Sequence, residues 1–174
     1  MNEKFVEMLA VGGHANSLGR VNDVIELVLH DKSRLDELYD CLFDVDAWVR
    51  MRAADGLEKI CRQHPDWLSS YINKFQDKLA ISSQPSIQWH MAQIYSEVEL
   101  TDKQKQLAIS WLKQLLSTKD VDWIVAANAM DTLAQFTKSG SFAEAELILL
   151  LKIQQQHKSN AVIKRANKLL AELS

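Results

Sequence analysis

The sequence predicts an all-α protein, a right-handed α–α superhelix of about four and a half helical hairpins with roughly ten helices. Three observations predict it. First, four segments superimpose at a spacing of 37 to 38 residues. With Val49, Ile87, Val125 and Val162 in one column, the column four residues on reads Ala53, Met91, Ala129 and Ala166. Eight on stand Leu57, Tyr95, Leu133 and Leu170, and eleven on stand Ile60, Val98, Phe136 and Leu173. Offsets of 0, 4, 8 and 11 share one face of an α-helix, so the same helix is written four times. Second, another helix repeats in step with it: Leu35, Ile72, Ile109 and Leu147 form one column, and Leu38, Phe75, Leu112 and Leu150 another three residues later. Third, strand signals are missing. Gly and Pro number five and two in 174 residues, and no alternating run bounded by Asn-Gly or Asp-Gly appears.

Each repeat therefore reads as an A helix, a turn and a B helix, with repeats over 32–63, 64–100, 101–139 and 140–174 of a single domain spanning 1–174. Residues 1–31 fit the period poorly. Phe5, Val6, Met8 and Leu9 suggest a short A-like helix broken at Gly12-Gly13, and Val21, Ile25 and Leu29 repeat the stripe of a B helix. A degenerate capping unit is expected at the edge of a repeat array. Start signals then follow in order. Asp46, Asp122 and Ser159 stand three residues before the first core position of their B helices, where a side-chain oxygen accepts free N–H groups. Pro65 and Pro85 suit a first helical turn. Thr101 with Gln104, and Ser141 with Glu144, have capping-box spacing. Gly140 marks a helix stop. Small residues at Ala53, Ala54, Ala92, Ala129 and Ala166 let neighbouring B helices approach closely.

The stretch Asp44–Ile60, Asp-Val-Asp-Ala-Trp-Val-Arg-Met-Arg-Ala-Ala-Asp-Gly-Leu-Glu-Lys-Ile, resembles the second helix of a HEAT repeat, with its turn Asp, Val-Arg, paired small residues, Leu and Ile. Val162-Ile-Lys-Arg-Ala-Asn-Lys-Leu-Leu170 echoes it in register. The middle repeats depart from it: the Arg52 column becomes His90 and Asn128, and Ala53 becomes Met91. The resemblance covers most of 32–174 and extends to armadillo-type and bilin-lyase-type repeats. It implies an α-solenoid of four to five HEAT-like hairpins and a habit of binding macromolecules, and it supplies no reaction.

No motif supplies a reaction either. His14, His30, His64, His90 and His157 lack His-x3-His or HExxH spacing, so no metal ligand is named. Cys41 and Cys61 lack CxxC spacing and read as reduced, buried thiols of a cytoplasmic protein. There is no nucleophile elbow, no phosphate-binding glycine loop and no cofactor motif, so no catalytic residue is named and the expected class is non-enzymatic. No apolar run reaches the about 18 residues of a membrane span, and the N-terminus lacks a secretory signal pattern.

Function is therefore expected on a surface. In such arrays the B helices line the concave side, and the positions opposite the core stripe fall at offsets 2, 6 and 9. These are Met51, Asp55 and Glu58; Trp89, Gln93 and Ser96; Ala127, Asp131 and Ala134; and Lys164, Lys168 and Ala171. Met51, Asp55, Trp89, Gln93, Asp131, Lys164 and Lys168 are the candidate contacts for a protein or peptide, with Trp89 either an anchor in the groove or a core residue. Trp48, Trp67, Trp111 and Trp123 are expected to pack as core. The alternatives implied by the resemblance are a DNA-binding protein or alkylbase glycosylase, for which Trp89, Asp55, Asp131 and Arg52 would be placed in the groove, and a bilin-lyase-like assembly factor. A net charge of −3 argues against a phosphate-binding stripe, because the basic residues are split between the two ends of the array.

Overall fold

The computed structural model describes residues 3–12 and 17–173; the expectations at Gly13 and His14 lie outside the described residues. The described residues form helices and turns, with no strand among them. The chain divides into two compact units, Met1–Trp67 and Leu68–Ser174.

The first unit contains α1 (Phe5–Ala10), α2 (Val21–His30), α3 (Leu35–Asp40) and the long α4 (Ala47–Gln63), with 3-10 turns at Lys32–Arg34 and Cys41–Phe43. The B-type helices α2 and α4 pack side by side, and α1 and α3 also lie against α4. Val49, Ala53, Leu57 and Ile60 on α4 are sealed from solvent together with Phe5, Met8, Val21, Val24 and Leu38. Each large apolar side chain buried this way contributes about 1.5–3 kcal/mol.

Arg52 is sealed there too, at 1% exposure. Its Nη1 donates to the Leu9 carbonyl at 2.6 Å, its Nη2 to Gly12 at 2.7 Å and its Nε to Ser17 at 2.9 Å. A Cβ at Gly12 would lie 2.6 Å from Nη2 of Arg52, so the guanidinium approaches this closely only because position 12 is glycine. Gly19, at φ 52°, has no room either: a Cβ there would stand 2.1 Å from the Val11 carbonyl oxygen.

The short α5 (Pro65–Leu68) spans the division. The second unit then alternates A helices α6 (Ile72–Lys78), α8 (Asp102–Leu116) and α10 (Glu144–Gln154) with B helices α7 (Pro85–Glu97), α9 (Trp123–Lys138) and α11 (Asn160–Glu172). A helices pack on A helices, α6 on α8 and α8 on α10, while α9 lies between α7 and α11. Both apolar columns are therefore covered by the next hairpin, as stacked repeats require. Close approach of α7 and α9 lets Thr132 donate its hydroxyl to the Ala92 carbonyl at 2.9 Å.

Most start and stop signals act as expected. Pro65 and Pro85 open their helices. Asp46 accepts from Trp48 N–H at 2.8 Å, Asp122 accepts from Ile124 N–H at 2.9 Å, and Thr101 with Gln104 forms a complete capping box. Gly140, at φ 75°, ends α9: its N–H donates to Thr137 at 2.9 Å and that of Ser141 to Phe136 at 2.8 Å.

Several expectations are corrected. Ser141 does not cap α10, whose N-cap is Ala143 without a side-chain bond; the Ser141 hydroxyl sits 3.1 Å from that of Ser139. Ser159 occupies the N-cap of α11 but makes no side-chain cap bond, its N–H donating instead to Nδ1 of His157 at 2.8 Å. Leu169, rather than Leu170, is the buried member on the last turns of α11, and Ile109 and Leu173 are half-buried. Trp48 and Trp123 are exposed, at 42% and 50%, because each falls in the first turn of its helix, outside the packed stripe.

Candidate interaction surface

Met51 and Asp55 stand one turn apart on α4, both half-buried, and Asp55 pairs with Lys59 at 2.8 Å. Glu58, at the next expected position, is 3% exposed and forms an ion pair with Arg62. Ala134, its counterpart on α9, is 6% exposed. Offset 9 is thus covered in both helices. A helix with neighbours on more than one side keeps a narrower open strip than one packed on a single side.

In the second unit Trp89 and Gln93 follow each other on α7, both half-buried. The Trp89 ring lies 5.1 Å from that of His90, and the Gln93 Oε1 is 3.0 Å from Nδ1 of His90. Trp89 is therefore neither sealed core nor a free flag. Lys164 and Lys168 are exposed one turn apart on α11, and Asp131 is half-buried on α9.

An open cleft of about 360 Å³ between α9 and α11 brings Asp131 and Lys168 together with Lys138, Arg165 and Glu172. Arg165 Nε donates to Asp131 at 2.5 Å and Lys138 Nζ to Glu172 at 3.2 Å. The bond to Asp131 holds Arg165 still more firmly protonated, and the bond from Lys138 holds Glu172 below the usual carboxylate range. Both shifts favour the charged forms of Arg165 and Glu172, which suits the cleft to reading charge. Among the described residues no group of three or more His, Cys, Asp or Glu could hold a metal ion. Cys41 and Cys61 are free thiols, both buried.

A second, larger cleft escaped the sequence reading. Of about 820 Å³, it lies at the A–B turns of the second unit, between the segment at 80–85 and the turn at 118–122. The signal that could have found it is a bulky apolar residue, Ile81, in a turn where solvent-compatible residues are the rule.

Helices in two stacked columns, with buried small residues where B helices meet, define the class: an all-α protein of stacked helical hairpins. A family model described as a HEAT repeat domain matches residues 7–104, more than half of the chain, and the chain belongs to the HEAT repeat family. Comparison with curated proteins and with solved structures gave no match. No helix is long and apolar enough to cross a membrane among the described residues.

Proposed function

We propose that this HEAT-repeat chain is a non-enzymatic, cytoplasmic interaction module that holds a protein or peptide segment on its B-helix face. Trp89, Gln93, Asp131, Lys164 and Lys168 would be the contacts in the second unit, and Met51 and Asp55 those in the first. The observation that carries this reading is the cleft between α9 and α11, where three cations, Lys138, Arg165 and Lys168, face two carboxylates, Asp131 and Glu172. The excess is positive, and exposed Lys164 adds to it, so an acidic stretch of the partner fits best. The DNA reading draws less support, because two of the cations it would use are engaged by backbone carbonyls. Arg52 is buried against carbonyls, and Arg50 donates to the Asp44 carbonyl at 2.7 Å.

The test is affinity capture from the native host, comparing the wild-type chain with K164E/K168E and with Trp89→Ala. A partner retained by the wild type should be lost by the charge-reversed variant, and held roughly thirtyfold more weakly by Trp89→Ala at unchanged melting temperature, the size of effect an interface anchor produces, about 2 kcal/mol. Capture unaffected by both changes would remove the B-helix face from consideration. Tight, strongly salt-dependent retention of duplex DNA in an electrophoretic titration would favour the nucleic-acid reading instead.

A further inference from the structure

The larger cleft at the A–B turns is built, not incidental. One wall is the segment at 80–85. Trp111 on α8 reaches back and donates its indole N–H to the Ala80 carbonyl at 3.1 Å, while its ring meets Tyr95 edge-on at 5.8 Å. Gln88 donates to the Ser82 carbonyl at 2.9 Å and ties the same segment to α7. The other wall is the turn that follows α8. Gln154 on α10, fully buried, donates to the carbonyls of Leu116 and Thr118, both at 2.9 Å. His157, 2% exposed, lies beyond it with Nε2 donating to the Val121 carbonyl at 2.8 Å; its Nδ1 accepts the Ser159 N–H, which sets that tautomer. Each turn is thus braced by side chains of the following hairpin, two of them polar groups taken wholly out of water. A cleft with both walls ordered in advance loses little conformational entropy when it is filled.

Its lining has a definite chemistry. Ile81, Trp111, Leu115 and Val121 supply apolar surface, and Ile81 is 87% exposed at the mouth. The charged residues among the lining are both acids, Asp120 and Asp122. Asp122 uses Oδ1 to cap the N-terminus of α9, while the Asp120 side chain is exposed. The volume matches a small-ligand site, about 300–1,000 Å³, but such sites enclose most of their ligand. This one is open along its mouth, the form a chain segment can lie across. An acid-rimmed cleft repels phosphate, so nucleic acid is the wrong occupant.

We infer that this cleft is a second docking site, distinct from the B-helix face, for a short peptide segment of a partner protein that pairs a bulky apolar side chain with a lysine or arginine. The apolar side chain lies against Trp111, Leu115 and Val121 under Ile81, and the cation meets Asp120 and Asp122 at the rim. The two surfaces of the second unit therefore have opposite charge preferences, which allows one chain to hold two different partners.

The test is selection of a random dodecapeptide phage library on the full-length chain, followed by affinity measurement of the selected peptides as synthetic, fluorescently labelled probes. Ile81→Asp and Asp120→Lys serve as the cleft variants and K164E/K168E as the control on the other face. Both cleft positions are exposed, so melting temperatures should stay at the wild-type value. The expected outcome is enrichment of sequences with Lys or Arg beside a large apolar residue. Their binding should weaken at least roughly tenfold in each cleft variant, be salt-dependent, and stay unchanged in K164E/K168E. Absence of sequences pairing Lys or Arg with a large apolar residue from the selected pool, or binding of such sequences that survives both cleft variants, would overturn the inference; acidic peptides selected alongside and lost in K164E/K168E would report the B-helix face instead. Neither overturning result depends on whether the B-helix face binds its own partner.

Discussion

Arg52 shows how one residue of a family pattern acquires a job that the pattern does not state. It is a buried cation facing three carbonyls, and charge-assisted bonds of this kind are about twice as strong as neutral ones. Leu9 lies on the last turn of α1, where unpaired carbonyls carry partial negative charge, so the helix end itself helps to stabilise the guanidinium. Arg52→Leu keeps an apolar stem but removes the guanidinium and leaves those carbonyls without a donor, and is expected to cost about 3 kcal/mol in a urea unfolding curve. Arg52→Lys should recover little, since one ammonium on a flexible stem cannot fork to three acceptors. A wild-type midpoint for Arg52→Leu would show that the clamp adds nothing to stability. The histidine and asparagine that replace Arg52 in the next two repeats act locally instead: Asn128 donates to Ile124 in its own helix at 2.9 Å.

At the scale of the element, the helix starts separate two chemistries that look alike in sequence. Asp122 and Ser159 occupy equivalent positions ahead of α9 and α11. Asp122 accepts from Ile124 N–H at 2.9 Å and Val125 N–H at 3.4 Å, and its charge also suits the positive end of the helix. Ser159 caps through nothing on its side chain. Asp122→Ala should therefore lower stability by about 1 kcal/mol, whereas Ser159→Ala should change it by less than about 0.5 kcal/mol. Thermal melts of the two variants side by side check this, and equal losses would contradict the assigned cap geometry.

At the scale of the whole molecule, each unit carries a buried acid whose proton the fold protects. Burial pushes the Cys41 thiol in the first unit up to about 12 from 9.0, helped by the nearby charges of Glu37, Asp44 and Asp40. Burial likewise raises the Tyr95 phenol in the second unit, more than its bond from Gln76 lowers it. In the unfolded chain these groups lose their protons near 9.0 and 10.0, while the folded chain keeps them. The folded state then binds more protons than the unfolded one, so stability falls as pH rises through this window. Below about pH 8 both states are protonated and the two groups leave the curve flat. Urea midpoints taken from pH 8 to 11 should decline, and the decline should be shallower from pH 9 upward in Cys41→Val and from pH 10 upward in Tyr95→Phe. Slopes identical to wild type would mean that these protons are not held by the fold.

The two interleaved columns by themselves determined the all-α class, the hairpin order and most of the core. Val49, Val125 and Val162 are all but sealed because a period of 3.6 residues leaves an apolar stripe no other place to go. Proline at a first turn, Asp before a B helix and Gly140 after α9 were legible for the same reason, as each acts within a few residues of itself. What only the tertiary structure decided are the contacts made by side chains about 30 to 45 residues away in sequence: Arg52 on Leu9, Trp111 on Ala80, Gln154 on Thr118 and Arg165 on Asp131. Periodicity says which way a side chain points to within about a 100° step per residue, which is too coarse to tell a half-covered Trp89 from an open one or to see that Glu58 is closed off. The turn cleft was hidden for a related reason. Its two walls belong to different hairpins, and their meeting depends on how the hairpins stack, a property of packed surfaces rather than of any local run of residues.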